Sequence, residues 1–468
     1  MDMFFITVDC ISSQEKWSNI QIPLVLKCRS KSGIKLKMVS DIIRNKITRH
    51  FTGLDEIVFK NDIPSYKKLE INFSALNELG IYLHIPFCDR ICGYCPYNKE
   101  VFSEEACINY VKAVIREIDF YLPLTDRIPI TSFYIGGGTP TTLLKKGIDT
   151  IINYIFKHFN MKCYVHMESH PNHLTNENLG IIESLGVKYL SIGVEAFQDH
   201  HLKTLGRPYS AEQVKKNIEE TIKKNFECVN IDLIFDLPGQ SESELENAGH
   251  EIIKLGVQQA ATYPLFRFRY TNMGKEFNDT RGKAGTILRR RKFLRILEDI
   301  FYSSEYYRSS VWAFTKKGVD KYCSVTVPVY LGFGASASSY LRDIFFVNTF
   351  RVKEYIKAVN DTKSPVALSI NLSDEMQMAG WLYWRVYETA FKKSDFYKRF
   401  NVSFDEKYGP LMKVFNCLGY LQVNDDQIRL TNRGAYWIHA FEDFFSINYI
   451  NKLWGTSKYN PWPEKVIL

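Results

Sequence analysis

Three cysteines, Cys88, Cys92 and Cys95, fall within CDRICGYC, separated by three and then two residues. Three thiolates on one short loop can hold three irons of a 4Fe–4S cubane, leaving a fourth iron open to a substrate or cofactor. A zinc site wants four ligands, and no partner Cys or His pair follows at zinc-finger spacing. The plain alternative, three unrelated buried thiols, accounts poorly for such clustering. Next comes Gly136-Gly137-Gly138-Thr139-Pro140-Thr141. Three glycines let a backbone approach a ligand closely with N–H groups exposed. Alone, such a run is often only a turn, and it is neither a Walker A loop nor a GxGxxG fingerprint. Glu168 ends CYVHMES, Glu195 follows SIGV, and Asp232 lies within VNIDLIF. Each carboxylate alone reads as a solvated or capped residue. Several at successive strand ends read as one site. Arg207, in LGRPY, either pairs with one of them or occupies a surface turn.

Positioning these residues requires strands. From Gly80 onward, short β-branched and aromatic runs bounded by Gly, Pro or Asn predict strands at Ile81–Phe87, Ser132–Ile135, Cys163–Ser169, Val187–Val194, Val229–Phe235 and Thr262–Phe268. Helical stretches lie between them. Ser210 with Gln213 and Ser241 with Glu244 fit capping boxes, and Gly186 stands where a helix end wants a left-handed residue. Strands alternating with helices imply a parallel sheet with right-handed crossovers, either a full or partial (β/α) barrel or an open doubly wound sheet. In such a barrel the strand ends share one mouth, where sites are built. Residues 1–75 read as an α/β appendage without a chemical motif: FFITV and PLVLKC as strands, MVSDIIRNKITRHF as a helix. Residues 76–360 hold the barrel. Residues 361–468 open with a connector, DTKSPVALSIN, and continue as a helical, winged-helix-like module whose strand–turn–strand–helix outline lies in LGYLQVNDDQIRLTNRGAYWIHAF. It lacks a dense basic stripe, which favours packing or a lid over DNA.

With 468 residues, 45% hydrophobic, and 60 Lys and Arg against 52 Asp and Glu, the chain is globular and mildly basic. That excludes disordered, collagenous and coiled-coil classes and gives no argument for nucleic acid. No apolar run is long enough to span a membrane, and the N-terminus carries no signal peptide, so a cytoplasmic address is the expectation. The other cysteines are scattered and read as small buried hydrophobes in a reducing compartment.

YLHIPFCDRICGYC, GGGTPT, GVEAF, LGRPY and DLIFDLPGQ together resemble the oxygen-independent coproporphyrinogen III oxidase family of radical S-adenosylmethionine (AdoMet) enzymes, including its two-AdoMet methyltransferase and cyclopropanase members. The resemblance runs from about Tyr82 to Phe350 and resumes at IRLTNRG. It implies a partial (β/α)6 radical SAM barrel, a 4Fe–4S cluster on Cys88, Cys92 and Cys95, and AdoMet, two molecules of it. Tyr82, Tyr94, Gly137 and Glu168 match residues lining the first AdoMet, with Ser338 at a barrel-end contact to it. Gly138, Thr139, Glu195, Arg207 and Asp232 match positions lining a second. The sequence also departs from the family. Tyr97 stands where the oxidase has a fourth cysteine, and Glu195 where it has glutamine. KYCSVTVPVYLGFG replaces the His-Asn-x-x-Tyr-Trp motif of the haem-chaperone relatives.

The resemblance implies that one electron from the cluster cleaves AdoMet to a 5′-deoxyadenosyl radical, under a closed mouth. The first expectation is C-methylation or cyclopropanation of an sp2 carbon through the second AdoMet. The alternatives are oxidative decarboxylation of porphyrinogen propionates and, in another class, a non-catalytic haem chaperone. Implied partners are a small-molecule substrate and an electron donor such as flavodoxin or ferredoxin, with the protein a monomer. In PLFRFRY, Arg267 and Arg269 on one strand face would clamp an anion, or else form a solvated edge. The run Arg289–Lys292 reads as a solvated helix face.

Overall fold

The chain's computed structural model describes residues 44–279, 287–322 and 328–468. The strands expected in FFITV and PLVLKC lie outside those residues. Met1–Ile47 forms one unit, of which residues 44–47 are described and helical, and Thr48–Leu468 forms another.

All six predicted strands are present: β1 (Leu79–Ile85), β2 (Pro129–Gly137), β3 (Val165–Ser169), β4 (Val187–Glu195), β5 (Cys228–Phe235) and β6 (Gln259–Pro264). Each pairs in parallel with the next, and helices join them, giving the α/β partial barrel expected. Side chains alternate faces along a strand. Ile81, Leu83, Ile85, Phe133, Ile135, Val165, Met167, Ile192, Val229 and Ile231 all enter the main apolar core. The alternate positions are Tyr82, His84, Tyr134, His166, Glu168, Ser191, Asn230 and Asp232. The barrel therefore has an apolar outer face under helices and a polar, aromatic inner face.

Beyond the barrel the sheet continues. Tyr330–Phe333 joins β1 in parallel. Ser338–Tyr340, Ile344–Asn348, Val366–Asn371, Val58–Lys60 and Lys465–Ile467 follow as antiparallel neighbours. Much of the expected connector Asp361–Asn371 is thus a buried strand, because VALSIN finds a hydrogen-bonding partner in Ile344–Asn348. Of the C-terminal residues, Ala390–Lys392, Gln427–Leu430 and Leu421–Val423 form a small three-stranded sheet among helices, the winged-helix-like arrangement. The helix Asn432–Tyr459 follows it.

The strand expected at Thr262–Phe268 stops at Pro264. Its neighbour β5 ends at Phe235, the partner of Pro264, and Leu265 N–H takes the Phe235 carbonyl at 2.8 Å. Beyond that no edge remains to pair with. Arg267 and Arg269 therefore share no strand face, which both readings of PLFRFRY, the anion clamp and the solvated edge, required. The Arg289–Lys292 run is a solvated face only at Lys292, which is exposed beside Glu242. Arg290 Nε donates to Asp236 at 2.9 Å, Arg289 donates to the Gln240 carbonyl at 2.8 Å, and Arg291 donates to Glu298 on its own helix at 2.9 Å. Arg289 and Arg290 fasten the DLPGQ turn, where Asp236 holds φ +60°.

A buried carboxylate organises the second glycine loop. Glu117, 3% exposed on the helix Glu104–Thr125, accepts hydrogen bonds from Gly334 N–H (2.8 Å), Asn348 Nδ2 (2.6 Å) and Tyr355 Oη (2.5 Å). Burial pushes its carboxyl from 4.5 up to about 7, against those hydrogen bonds. The folded state thus holds this proton more tightly than the unfolded chain. The Glu117 contribution to stability should be greatest below pH 4.5 and fall by on the order of 3 kcal/mol as pH rises through 7. Urea midpoints measured across that range should show this decline in the wild type and lose it in Glu117→Gln. Glu117→Ala, leaving the Gly334 N–H and the Tyr355 hydroxyl buried without an acceptor, should cost at least about 3 kcal/mol.

Candidate active site

Cys88 leaves β1 through Pro86, and Phe87–Cys88 pairs with Glu100–Val101. Glu100 N–H donates to Pro86 O at 2.6 Å and Phe102 N–H to Cys88 O at 2.9 Å, closing the base of the cysteine loop. The loop above has little regular structure, so its carbonyls must find other donors. Met273 N–H reaches Gly93 O at 3.0 Å, Lys99 Nζ reaches Cys95 O at 2.7 Å and Tyr97 O at 3.0 Å, and Tyr270 Oη reaches Pro96 O at 3.1 Å. His84 Nε2 lies 3.0 Å from Asn98 O, and its Nδ1 lies 2.8 Å from Tyr82 Oη. Burial lowers the His84 pKa to about 4. The ring is therefore neutral, donating to Asn98 from Nε2 and accepting from Tyr82 at Nδ1. This ties the Tyr82 hydroxyl to the loop.

Cys88 is buried, Cys92 and Cys95 half-buried, and all three are free thiols. Burial pushes Cys88 up to about 11, although Thr139 Oγ1 donates to its sulfur at 3.3 Å. Cys92 is also raised by burial, with Arg207 opposing. The three sulfurs are not gathered within the 4.8 Å that donors to one ion would show. Soft thiolates on a tethered loop, spread too widely for one ion, fit a 4Fe–4S cluster with one cysteine per iron.

The glycine loop lies against this loop. Gly138 N–H donates to Ile85 O at 2.7 Å and Thr139 N–H to Phe87 O at 2.8 Å. A Cβ on Gly138 would lie 2.8 Å from Phe87 O, and Gly137 adopts φ +117° with a Cβ position 2.5 Å from the His84 ring. These glycines therefore admit protein backbone and imidazole, a need independent of any ligand. Glu168 accepts from Gly137 N–H at 3.0 Å and Tyr134 Oη at 2.6 Å, and Tyr322 Oη reaches Tyr134 Oη at 2.6 Å.

Glu195 ends β4 with φ +70°, a strained backbone for a residue with a side chain. Its carboxylate, 7% exposed, pairs with the Arg207 guanidinium, 9% exposed, and accepts from Tyr263 Oη at 3.3 Å. Arg207 also donates to Gly193 O at 3.1 Å and stands 5.9 Å from the Tyr94 ring centre. Among the described residues Asp232 is approached by hydroxyl and amide and by no paired cation: Ser191 Oγ donates at 3.2 Å and Asn230 Nδ2 at 3.0 Å. Burial, then the charges of Glu195 and Glu168, raise the Asp232 pKa well above its usual range. Burial likewise raises Glu168. Three carboxylates thus share one interior, where Arg207 pairs with Glu195.

The structure brings Tyr82, Tyr94, Gly137, Gly138, Thr139, Glu168, Glu195, Arg207 and Asp232 to the cysteine loop and the barrel's inner face. Ser338 Oγ lies 3.3 Å from Tyr330 Oη, and Ser336 Oγ lies 3.3 Å from His84 Nε2. Tyr97, where the oxidase has cysteine, is 53% exposed on the cysteine loop. Its ring centre is 5.8 Å from that of Trp454 on the C-terminal helix. Sequence reasoning missed His84, Lys99, Tyr134, Tyr263 and Tyr322. The alternation of polar and apolar residues along the strands was the available signal for His84, Tyr134 and Tyr263.

Arg207→Ala would leave the Glu195 carboxylate buried without its cation, and should cost about 3–5 kcal/mol. Glu195→Gln on that background should restore most of the loss, read from unfolding midpoints of the single and double variants.

Residues 82–252 match the profile of the Radical SAM superfamily. The chain is 27% identical over 361 residues to heme chaperone HemW of Bacillus subtilis, covering 75% of this chain and 95% of that protein. It is 25% identical over 369 residues to anaerobilin synthase of Escherichia coli O157:H7, covering 76% and 81%. In fold it is similar to the radical SAM enzyme coproporphyrinogen III oxidase (HemN) from Escherichia coli. The TM-score is 0.71 at 20% identity, across 85% of this chain and 95% of that one.

Proposed function

Because this chain is a radical SAM protein of the coproporphyrinogen III oxidase-like kind, we propose that it acts on haem or a closely related tetrapyrrole with a 4Fe–4S cluster and AdoMet. The observation that carries the chemistry is the tethered trio Cys88, Cys92 and Cys95 beside an inner face of carboxylates and tyrosines. Relatives named for haem and for a bilin, each matching about three quarters of the chain, support the substrate class. They favour it over the C-methylation or cyclopropanation expected from the sequence.

When bound, the cluster and AdoMet supply a carbon-centred radical by one-electron cleavage of the sulfonium. The chain's residues hold and enclose. Cys88, Cys92 and Cys95 would hold the cluster, and Thr139 donates to the Cys88 sulfur. Gly137 and Glu168, with Tyr82 and Tyr94, would hold AdoMet. Tyr134 and the Gly137 N–H fix one oxygen each of Glu168. Arg207 and Glu195 offer a paired cation and anion, with Asp232 beside them, to polar groups of a substrate or a second AdoMet. The rings of Tyr82, Tyr97, Tyr134, Tyr263 and Tyr322 suit a flat conjugated ligand and exclude water. The helix Asn432–Tyr459 supports closure through Trp454 at Tyr97 and Asn451 Oδ1, which accepts from Arg269 N–H at 2.7 Å. An electron donor such as flavodoxin or ferredoxin would complete turnover.

Haem carriage without turnover is the second reading, favoured by a similarity that runs through 95% of the Bacillus subtilis HemW. Anoxically reconstituted protein, given dithionite and AdoMet, should form 5′-deoxyadenosine, and Cys92→Ala should abolish this with loss of iron. Haem or coproporphyrinogen III should raise the rate and yield a product of altered mass. A haem spectrum shifted by binding, with the haem recovered intact, would select carriage. S-adenosylhomocysteine released in step with product would restore C-methylation. A colourless protein inert toward both tetrapyrroles would overturn the proposal.

A further inference from the structure

Away from the cysteine loop, two imidazoles and a carboxylate converge. His200 and His201 lie on the short helix Asp199–Leu205, and Glu244 on the helix Glu242–Leu255. Among the described residues theirs is the set of His, Cys, Asp and Glu donor atoms gathered within 4.8 Å of one another. His200 Nε2 is 3.0 Å from Glu244 Oε1, and His201 Nε2 is 3.5 Å from Glu244 Oε2. Metal–ligand bonds of about 2.0–2.1 Å place the donors of a tetrahedral zinc site about 3.3 Å apart. The 3.0 Å and 3.5 Å separations reach different oxygens of Glu244, and one donor atom from each residue lies within 4.8 Å of the others, so a small rotation of the carboxylate would bring all three onto one ion.

A second observation points to a ligand. His201 is 1% exposed; its Nδ1 makes no hydrogen bond, and its Nε2 meets the Glu244 carboxylate at 3.5 Å, too loosely for a good one. A buried polar group left unpaired is costly, and native folds rarely leave one without a partner. Nearby, Gln198 Nε2 donates to Glu244 O at 2.9 Å while its buried Oε1 also lacks a hydrogen bond. Glu244 itself is held in place: Ser241 N–H donates to its Oε2 at 2.8 Å in a capping box, leaving Oε1 toward His200. His200 is largely exposed, so the group opens to solvent on one side.

We propose that His200, His201 and Glu244 bind one divalent transition-metal ion of the zinc class, with water completing the coordination. Two imidazoles and one carboxylate select such an ion over calcium or magnesium, which take oxygen ligands. The ion would join the segment between Glu195 and Arg207 to the helix after β5. It would thereby help to position the buried Glu195–Arg207 pair. The site stands on its own donors and is independent of the tetrapyrrole reading.

The test uses anoxic, cluster-loaded protein, so that Cys88, Cys92 and Cys95 are already occupied. Zn2+ titrated against a chromophoric chelator should bind with one equivalent per chain. His200→Ala should weaken that binding at least about tenfold while iron and sulfide content stay unchanged. Co2+ should give ligand-field bands in the wild type that the variant lacks. Zn2+ should raise the unfolding temperature of the wild type and leave His200→Ala unmoved. Glu244→Gln, which keeps a side-chain acceptor for its helix cap, should weaken Zn2+ likewise. Equal Zn2+ uptake by the wild type and both variants, or no uptake beyond the cluster, would overturn the proposal.

Discussion

Alternation along parallel strands is the constraint on which this protein rests. A strand presents successive side chains to opposite faces, so six strands in one direction separate two environments. Here Ile81, Leu83, Ile85, Phe133, Ile135, Ile192 and Ile231 build the layer under the helices. Tyr82, His84, Tyr134, Glu168, Ser191, Asn230 and Asp232 are left to face inward. Slipping a strand by one residue would bury carboxylates under helices and turn isoleucines into the site. The apolar layer therefore fixes register, and register fixes the site.

That interior concentrates charge. Glu168, Glu195 and Asp232 share it with Arg207, and burial disfavours the ionised forms of Glu168 and Asp232. Neighbouring hydroxyls, the Asn230 amide and one backbone N–H supply the hydrogen bonds that make such burial tolerable. Among the described residues Glu195 is the one of the three paired with a cation, and it ends its strand with a left-handed backbone. Strain and buried charge together mark the mouth of β4 as a place where stability has yielded to chemistry. Among the described residues no helix is long and apolar enough to cross a membrane.

The cysteine loop shows a different kind of order. Its regular hydrogen bonding is slight, yet the carbonyls at Gly93, Cys95, Pro96, Tyr97 and Asn98 all receive donors from elsewhere. Those donors come from β1, from the segment after β6 and from Lys99 within the loop. The loop carrying the thiols is thereby fastened to the barrel. The C-terminal helix reaches the same loop through Trp454 and Tyr97.

Much of this was written in the sequence. The cysteine spacing, the glycine run and six β-branched runs in alternation with helices are local patterns, and local patterns survive without a fold. They determined the strand count, the parallel order and the residues at the strand ends. Tertiary structure decided what depends on partners distant in the chain. The strand expected to continue through Arg267 stopped because β5 ended, and the connector before the C-terminal module became a strand because Ile344–Asn348 was waiting. Arg289 and Arg290, apparently a solvated run, found a buried aspartate. Gly138 turned out to be needed by the carbonyls of Phe87 and Ile85. Spacing along a chain reports which residue types lie near one another in sequence. Which donor meets which acceptor across fifty or two hundred residues is set only when the sheet closes its hydrogen bonds.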